Sequence, residues 1–200
     1  ITDDAYFGLF FEEDVCKESL FARLCNCSEN LLAVKCDAAT KEEMVWGFRV
    51  AFITYGCKGF TEEQYDALVQ KTMGALRGTL SCCSTSAQNI LVKGMTDSSY
   101  YREKSDAVGK IKLRYNALKA SLSKYEERKD LIPLPFNSGY FMSFECSCNA
   151  EDLRHLLLDK YGTGVIRLDD HHIRLAFSSV DLNDITALID TVYAAAAKLK

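Results

Sequence analysis

Residues 97–129 are densely charged, contain no proline, and space Tyr101, Val108, Ile111, Leu118 and Leu122 as a helical stripe. A helix that long exceeds the usual three to four turns of a globular domain, roughly 10–14 residues, so the spacing predicts one that bridges two domains. Pro133 and Pro135 then break it. Around it, short apolar runs alternate with helical ones, the pattern of an α/β architecture. The best division falls near residues 113–124, giving units of 1–115 and 116–200. At 200 residues the chain should bury about 70% of its unfolded surface, so a real core is expected.

In the first unit, residues 31–36 read as a short buried strand, and Lys41 follows in a loop at its carboxyl end, where open α/β sheets bind ligands. Residues 46–55 alternate bulky Trp46, Phe48, Val50 and Phe52 with Gly47, Arg49 and Ala51, which predicts a strand with Arg49 flanked by small neighbours. Thr61 and Gln64 form a capping-box signature for a helix that ends near Gly78, and residues 78–86 read as a small polar loop. In the second unit, residues 140–144 read as a strand. Asn149 caps a helix ended by Gly162, strands lie near Val165 and Ile173, and a core-facing helix starts at Asp181.

The 24 basic and 28 acidic residues leave a net charge of -4 without a basic stripe, which argues against nucleic-acid binding. No apolar run approaches the roughly 20 residues that cross a bilayer, nor does the N-terminus resemble a signal peptide, so a soluble, cytoplasmic protein is expected. The chain starts without Met, and Ile1-Thr2-Asp3 reads as the end of a strand, so a C-terminal piece of a longer protein is expected. Nine cysteines, an odd number without zinc-module spacing, read as reduced and mostly buried thiols. Adjacent His171 and His172 would point to opposite strand faces, so they read as a turn or strand entry and not as a shared metal site.

A lysine that attacks a carbonyl needs a desolvated position near other cations. Lys41, eight residues before Arg49, meets that need, and a guanidinium is a permanently charged planar fork for phosphate or carboxylate. On the other unit, Ile173, Leu175 and Phe177 form an apolar strand face, leaving Arg174 on the opposite one beside Ala176.

These residues together resemble the pyridoxal-phosphate-dependent aminotransferases of fold type I, class I/II. The matching motif comprises Ala39, Thr40, Lys41, Met44, Val45, Gly47, Arg49, Val50 and Ala51, with Asp3-Asp4-Ala5-Tyr6 upstream and residues 137–141 and Arg174 downstream. Ala38 departs from the pattern, since some members carry there a Ser that touches the phosphate. The resemblance implies the C-terminal part of such an enzyme: the end of the large cofactor domain, closing in the bridging helix, then the small α/β domain. It implies a Schiff base between Lys41 and pyridoxal 5'-phosphate. Asp3 would pair with the pyridine nitrogen, Tyr6 with the phenolic oxygen and Arg49 with the phosphate. Arg174 would grip the substrate carboxylate, and Arg77, in a segment shared more loosely with the family, a distal one. Amino acid and 2-oxo acid substrates, a homodimer and an N-terminal half with the rest of the pocket follow from the same resemblance. Because fold does not fix reaction, a β-lyase, a synthase or a non-catalytic regulatory module on this scaffold are the alternatives.

Overall fold

The computed structural model describes residues 1–199. It is a mixed α/β chain that divides into two compact units, 1–104 and 105–200. Helix α5 (Tyr100–Leu122) begins in the first and continues into the second, and the expected division at residue 115 lies further along this same helix. The helix is shorter than the stretch that predicted it: a 3-10 turn (Ser123–Tyr125) follows, then strand β4 (Leu131–Pro133), which the prolines had concealed.

In the first unit, β1 (Thr2–Asp3) pairs in parallel with β2 (Ala33–Ala38), and β2 pairs antiparallel with β3 (Ala51–Gly56), giving the order β1-β2-β3. β3 is a border of this sheet, with Phe52 and Ile53 each 49% exposed. A short helix α1 (Leu20–Leu24) is capped by the Ser19 hydroxyl, which accepts from Phe21 N at 3.2 Å. The single-turn helix α2 (Ala39–Glu42) leaves the end of β2 without a connecting residue. Helix α3 (Glu62–Thr79) opens on the expected capping box: Thr61 Oγ1 accepts from Gln64 N, and Gln64 Oε1 accepts from Thr61 N at 2.8 Å.

The polar stretch expected to be a loop through residue 86 stops sooner. Ser84 accepts from Ala87 N at 3.3 Å and starts helix α4 (Thr85–Met95), which buries Ala87 and Leu91 against Ala39 and Val50. Val45 and Phe48 pack on the same cluster. That cluster fixes α2 from beneath, and with it the chain on either side of Lys41.

The second unit is a four-stranded antiparallel sheet of order β4-β5-β7-β6, with β5 (Met142–Cys146), β6 (Ile166–Arg167) and β7 (His172–Leu175). Helix α6 (Ala150–Tyr161) begins at Asn149, whose side chain accepts from Glu151 and Asp152 N, and ends at Gly162 with φ 60°. Helix α7 (Ile185–Ala196) buries Ile185, Ile189, Val192 and Tyr193, following a 3-10 turn (Leu182–Asp184) where a continuous helix from Asp181 was expected. Phe144, Leu153, Leu157, Ile173 and Phe177 are fully inaccessible, so this unit holds the larger core.

All nine cysteines are free, as expected, but only Cys57 and Cys146 are buried. Cys25, Cys36, Cys83 and Cys148 are half-buried, and Cys16, Cys27 and Cys82 are exposed. Among the described residues no cluster of His, Cys, Asp or Glu could hold a metal ion, and no helix is long and apolar enough to cross a membrane. His172 enters β7, and its Nδ1 lies 2.8 Å from Asp169 Oδ1.

Candidate active site

Strand β2 points Lys35 and Asp37 to one face, because residues two apart on a strand share a side. Their charged ends meet at 2.5 Å, with Asp4 Oδ2 3.9 Å from the same ammonium and the Phe7 ring 5.3 Å away. Ser19 Oγ donates to that Asp4 oxygen. The Asp37 hydrogen bond raises the Lys35 pKa, against a smaller opposing effect of burial. Asp37 Oδ1 is buried without a hydrogen-bond partner among the described residues.

Immediately beyond this group, α2 lifts Lys41 from the sheet end. Lys41 therefore stands on a helical turn and not in a loop; Glu43 N donates to Ala39 O at 3.0 Å and closes it. The ammonium nitrogen of Lys41 lies 5.4 Å from the centre of the Tyr6 ring. Tyr6 is brought there by the turn after β1, in which Phe7 N donates to Asp4 O and Leu9 N to Tyr6 O. Asp3 ends β1 opposite Cys36, is exposed, and accepts from Ala5 N at 3.1 Å.

Arg49 corrects the strand expected over 46–55. Residues 46–48 form a turn, with Phe48 N donating to Val45 O at 2.9 Å, and β3 begins at Ala51. Arg49 takes φ 54°, as Met44 takes φ 55°, a left-handed conformation uncommon without glycine. Its guanidinium is exposed and donates to Trp46 O at 3.1 Å. Since Ala51 pairs with Ala38, Arg49 enters the sheet at the same end from which Lys41 leaves it. Asp3, Tyr6, Lys41 and Arg49 are thus gathered at one sheet end.

Arg77 stands apart, in the last turn of α3, where it donates to Ser81 Oγ at 2.7 Å. Arg174 belongs to the second unit, on β7 between Ser143 and Ile166. It faces an aromatic neighbour: its guanidinium carbon sits 4.6 Å from the Phe141 ring centre, a cation–π contact, and its Nε is buried without a partner among the described residues.

No protein-family model matches the chain, and no curated protein matches it. Solved structures do. LysN, the α-aminoadipate aminotransferase of Thermus thermophilus complexed with N-(5'-phosphopyridoxyl)-L-leucine, matches 98% of this chain with a TM-score of 0.75 at 20% identity. The chain carries an aminotransferase fold. A multiple substrate aminotransferase from Thermococcus profundus gives a TM-score of 0.74 at 15% identity, and a Pyrococcus horikoshii kynurenine aminotransferase 0.73 at 16%, each again over 98% of this chain. These matches span 49%, 47% and 47% of the three solved chains, so the sequence spans about half the length of the solved chains it matches. The likeness takes in both units of the chain.

The group assembled at the sheet end has the chemistry that pyridoxal phosphate requires. An amine suits its aldehyde, a carboxylate its pyridinium, a phenol its ring oxygen and a guanidinium its phosphate.

Proposed function

We propose that this chain is the C-terminal half of a pyridoxal-phosphate-dependent aminotransferase, which moves an amino group between an amino acid and a 2-oxo acid. The observation that carries the reading is Lys41, on a single turn at the end of β2, with its amine over Tyr6 and beside the strand that ends in Asp3. The aminotransferase fold supports it independently of any one residue.

When bound, the cofactor supplies an electron sink for the substrate carbanion. Lys41 would hold it and, as general base, would take up the substrate Cα proton. Asp3 would keep the ring nitrogen protonated, Tyr6 would donate to the ring oxygen, and Arg49 would bind the phosphate. Arg174 holds the α-carboxylate so that the breaking Cα–H bond is aligned for proton removal. Arg77 binds the distal carboxylate of a dicarboxylic substrate. An N-terminal half of the same protein supplies the remaining pocket, and the working enzyme is a homodimer. Free thiols suit a cytoplasmic setting.

Borohydride reduction of the full-length protein with pyridoxal phosphate, followed by peptide mapping, tests the reading. A pyridoxyl adduct on Lys41 is expected; an adduct on another lysine, or none, overturns it. Incubation with an amino acid and a 2-oxo acid then separates the reactions, since release of ammonia without an acceptor would mark a lyase.

A further inference from the structure

The residue two places beyond Lys41 is held by two side chains from another helix. Glu43 Oε2 accepts from the Tyr100 hydroxyl at 2.7 Å, and Glu43 Oε1 accepts from Lys104 Nζ at 2.7 Å. Lys104 also lies 3.2 Å from the Tyr100 oxygen and 3.5 Å from Glu42 Oε1. Tyr100 and Lys104 are one turn apart at the start of α5, so they share a face and converge on one carboxylate. The Glu43 side chain is only 10% exposed, and a carboxylate so enclosed is tolerated because it is paired.

Glu43 is also where the backbone leaves helical geometry. It caps α2, and Met44 follows at φ 55°. Residues in this region persist where their surroundings over-determine them, and such strain gathers at functional sites. Below, Ala39 is buried with α4; above, Glu43 is tied to α5. Lys41 lies between these two anchors. For Lys104, burial opposes the charge, but the hydrogen bonds to Glu43 and Tyr100 outweigh it and its pKa is raised.

We propose that Tyr100 and Lys104 are positioning residues for Lys41: by gripping Glu43 they hold α2 and the strained turn after it, so that the Lys41 amine is presented over Tyr6 to an aldehyde. The inference rests on reading Lys41 as the carbonyl-reactive amine. The first turns of α5 then set the lysine.

Two readouts test it in the full-length protein. In Lys104→Met and Tyr100→Phe, backbone amide exchange across residues 38–49 should quicken about tenfold without the cofactor, since local opening governs exchange. Trapping of pyridoxal phosphate on Lys41 by borohydride should slow by a similar factor, about tenfold, as expected when a reactive group loses its alignment. Lys104→Arg should restore both, and protection in the second unit should stay unchanged. Wild-type exchange or wild-type trapping rates in both variants would overturn the brace. If Lys104→Met does not fold, Tyr100→Phe, which removes one hydroxyl, decides alone. Absence of an adduct on wild-type Lys41 would instead refute the functional reading, a result separable from the exchange measurement.

Discussion

The Lys41 ammonium stands 5.4 Å from the centre of the Tyr6 ring, although the two residues are thirty-five positions apart in the chain. The parallel pairing of β1 with β2 makes this meeting, because Tyr6 follows the end of one strand and Lys41 the end of the other. Under the proposed function the ring and the hydroxyl of Tyr6 have separable tasks. Tyr6→Phe keeps the ring and should leave the borohydride adduct on Lys41, while lowering transamination about tenfold or more, the scale of one hydrogen bond to a charged group. Tyr6→Ala should also slow adduct formation. Equal turnover in wild type and Tyr6→Phe would remove the hydroxyl from the mechanism.

Gly56 and Gly78 should respond to alanine with opposite signs. A Cβ on Gly56 would meet Cys25 Cβ at 2.5 Å and Phe21 Cζ at 2.9 Å, closer than real contacts allow, so Gly56→Ala should cost about 1–3 kcal/mol by overpacking. Gly78 lies within α3 with nothing near its missing Cβ, and Gly78→Ala should stabilise by about 0.5–1 kcal/mol. Urea unfolding of the two variants measures both.

Glu151 should titrate unusually low. The Arg154 guanidinium donates to both its oxygens, at 2.9 and 2.6 Å, and this brings its pKa down to about 2. A folded pKa below the unfolded one stabilises at higher pH, and that contribution fades as pH falls from roughly 4.3, the ordinary glutamate value, through the folded midpoint. Carboxyl-carbon NMR should find the depressed midpoint, and Arg154→Ala should return it toward the ordinary value.

The thiols should separate into two reactivity classes. Cys16, Cys27 and Cys82 are exposed, whereas Cys146 is 3% exposed and burial pushes its pKa up to about 12. Because the thiolate is the reacting species, brief alkylation near neutral pH should label the first three and spare Cys146 until the protein unfolds. Peptide mass mapping before and after denaturant decides this.

Local grammar was the most legible part of the sequence. The Thr61–Gln64 box and the Asn149 start with its Gly162 stop use hydrogen bonds a few residues long, so neighbours in the chain specify them. Arg49 shows the opposite case. Its alternation with Phe48 and Val50 looks like a strand, but the turn that lifts it out depends on Val45 and Phe48 packing with Ala87 and Leu91, residues from a distant helix. That helix, α4, was itself obscured by its Ser- and Thr-rich start, although Ser84 three places before Ala87 is an N-cap signal. The grip of Tyr100 and Lys104 on Glu43 was equally invisible, because sequence spacing reveals that two residues share a face without revealing what that face meets.

β3 has a consequence for how this polypeptide must be made. Phe52 and Ile53 are adjacent, so they lie on opposite faces of the strand, and each is 49% exposed. A border strand that is apolar on both sides and carries unspent backbone donors and acceptors recruits any extended segment within reach. Left uncovered, such a strand is a template for aggregation of the chain. A net charge of -4 spread over 200 residues is little repulsion to set against that pairing.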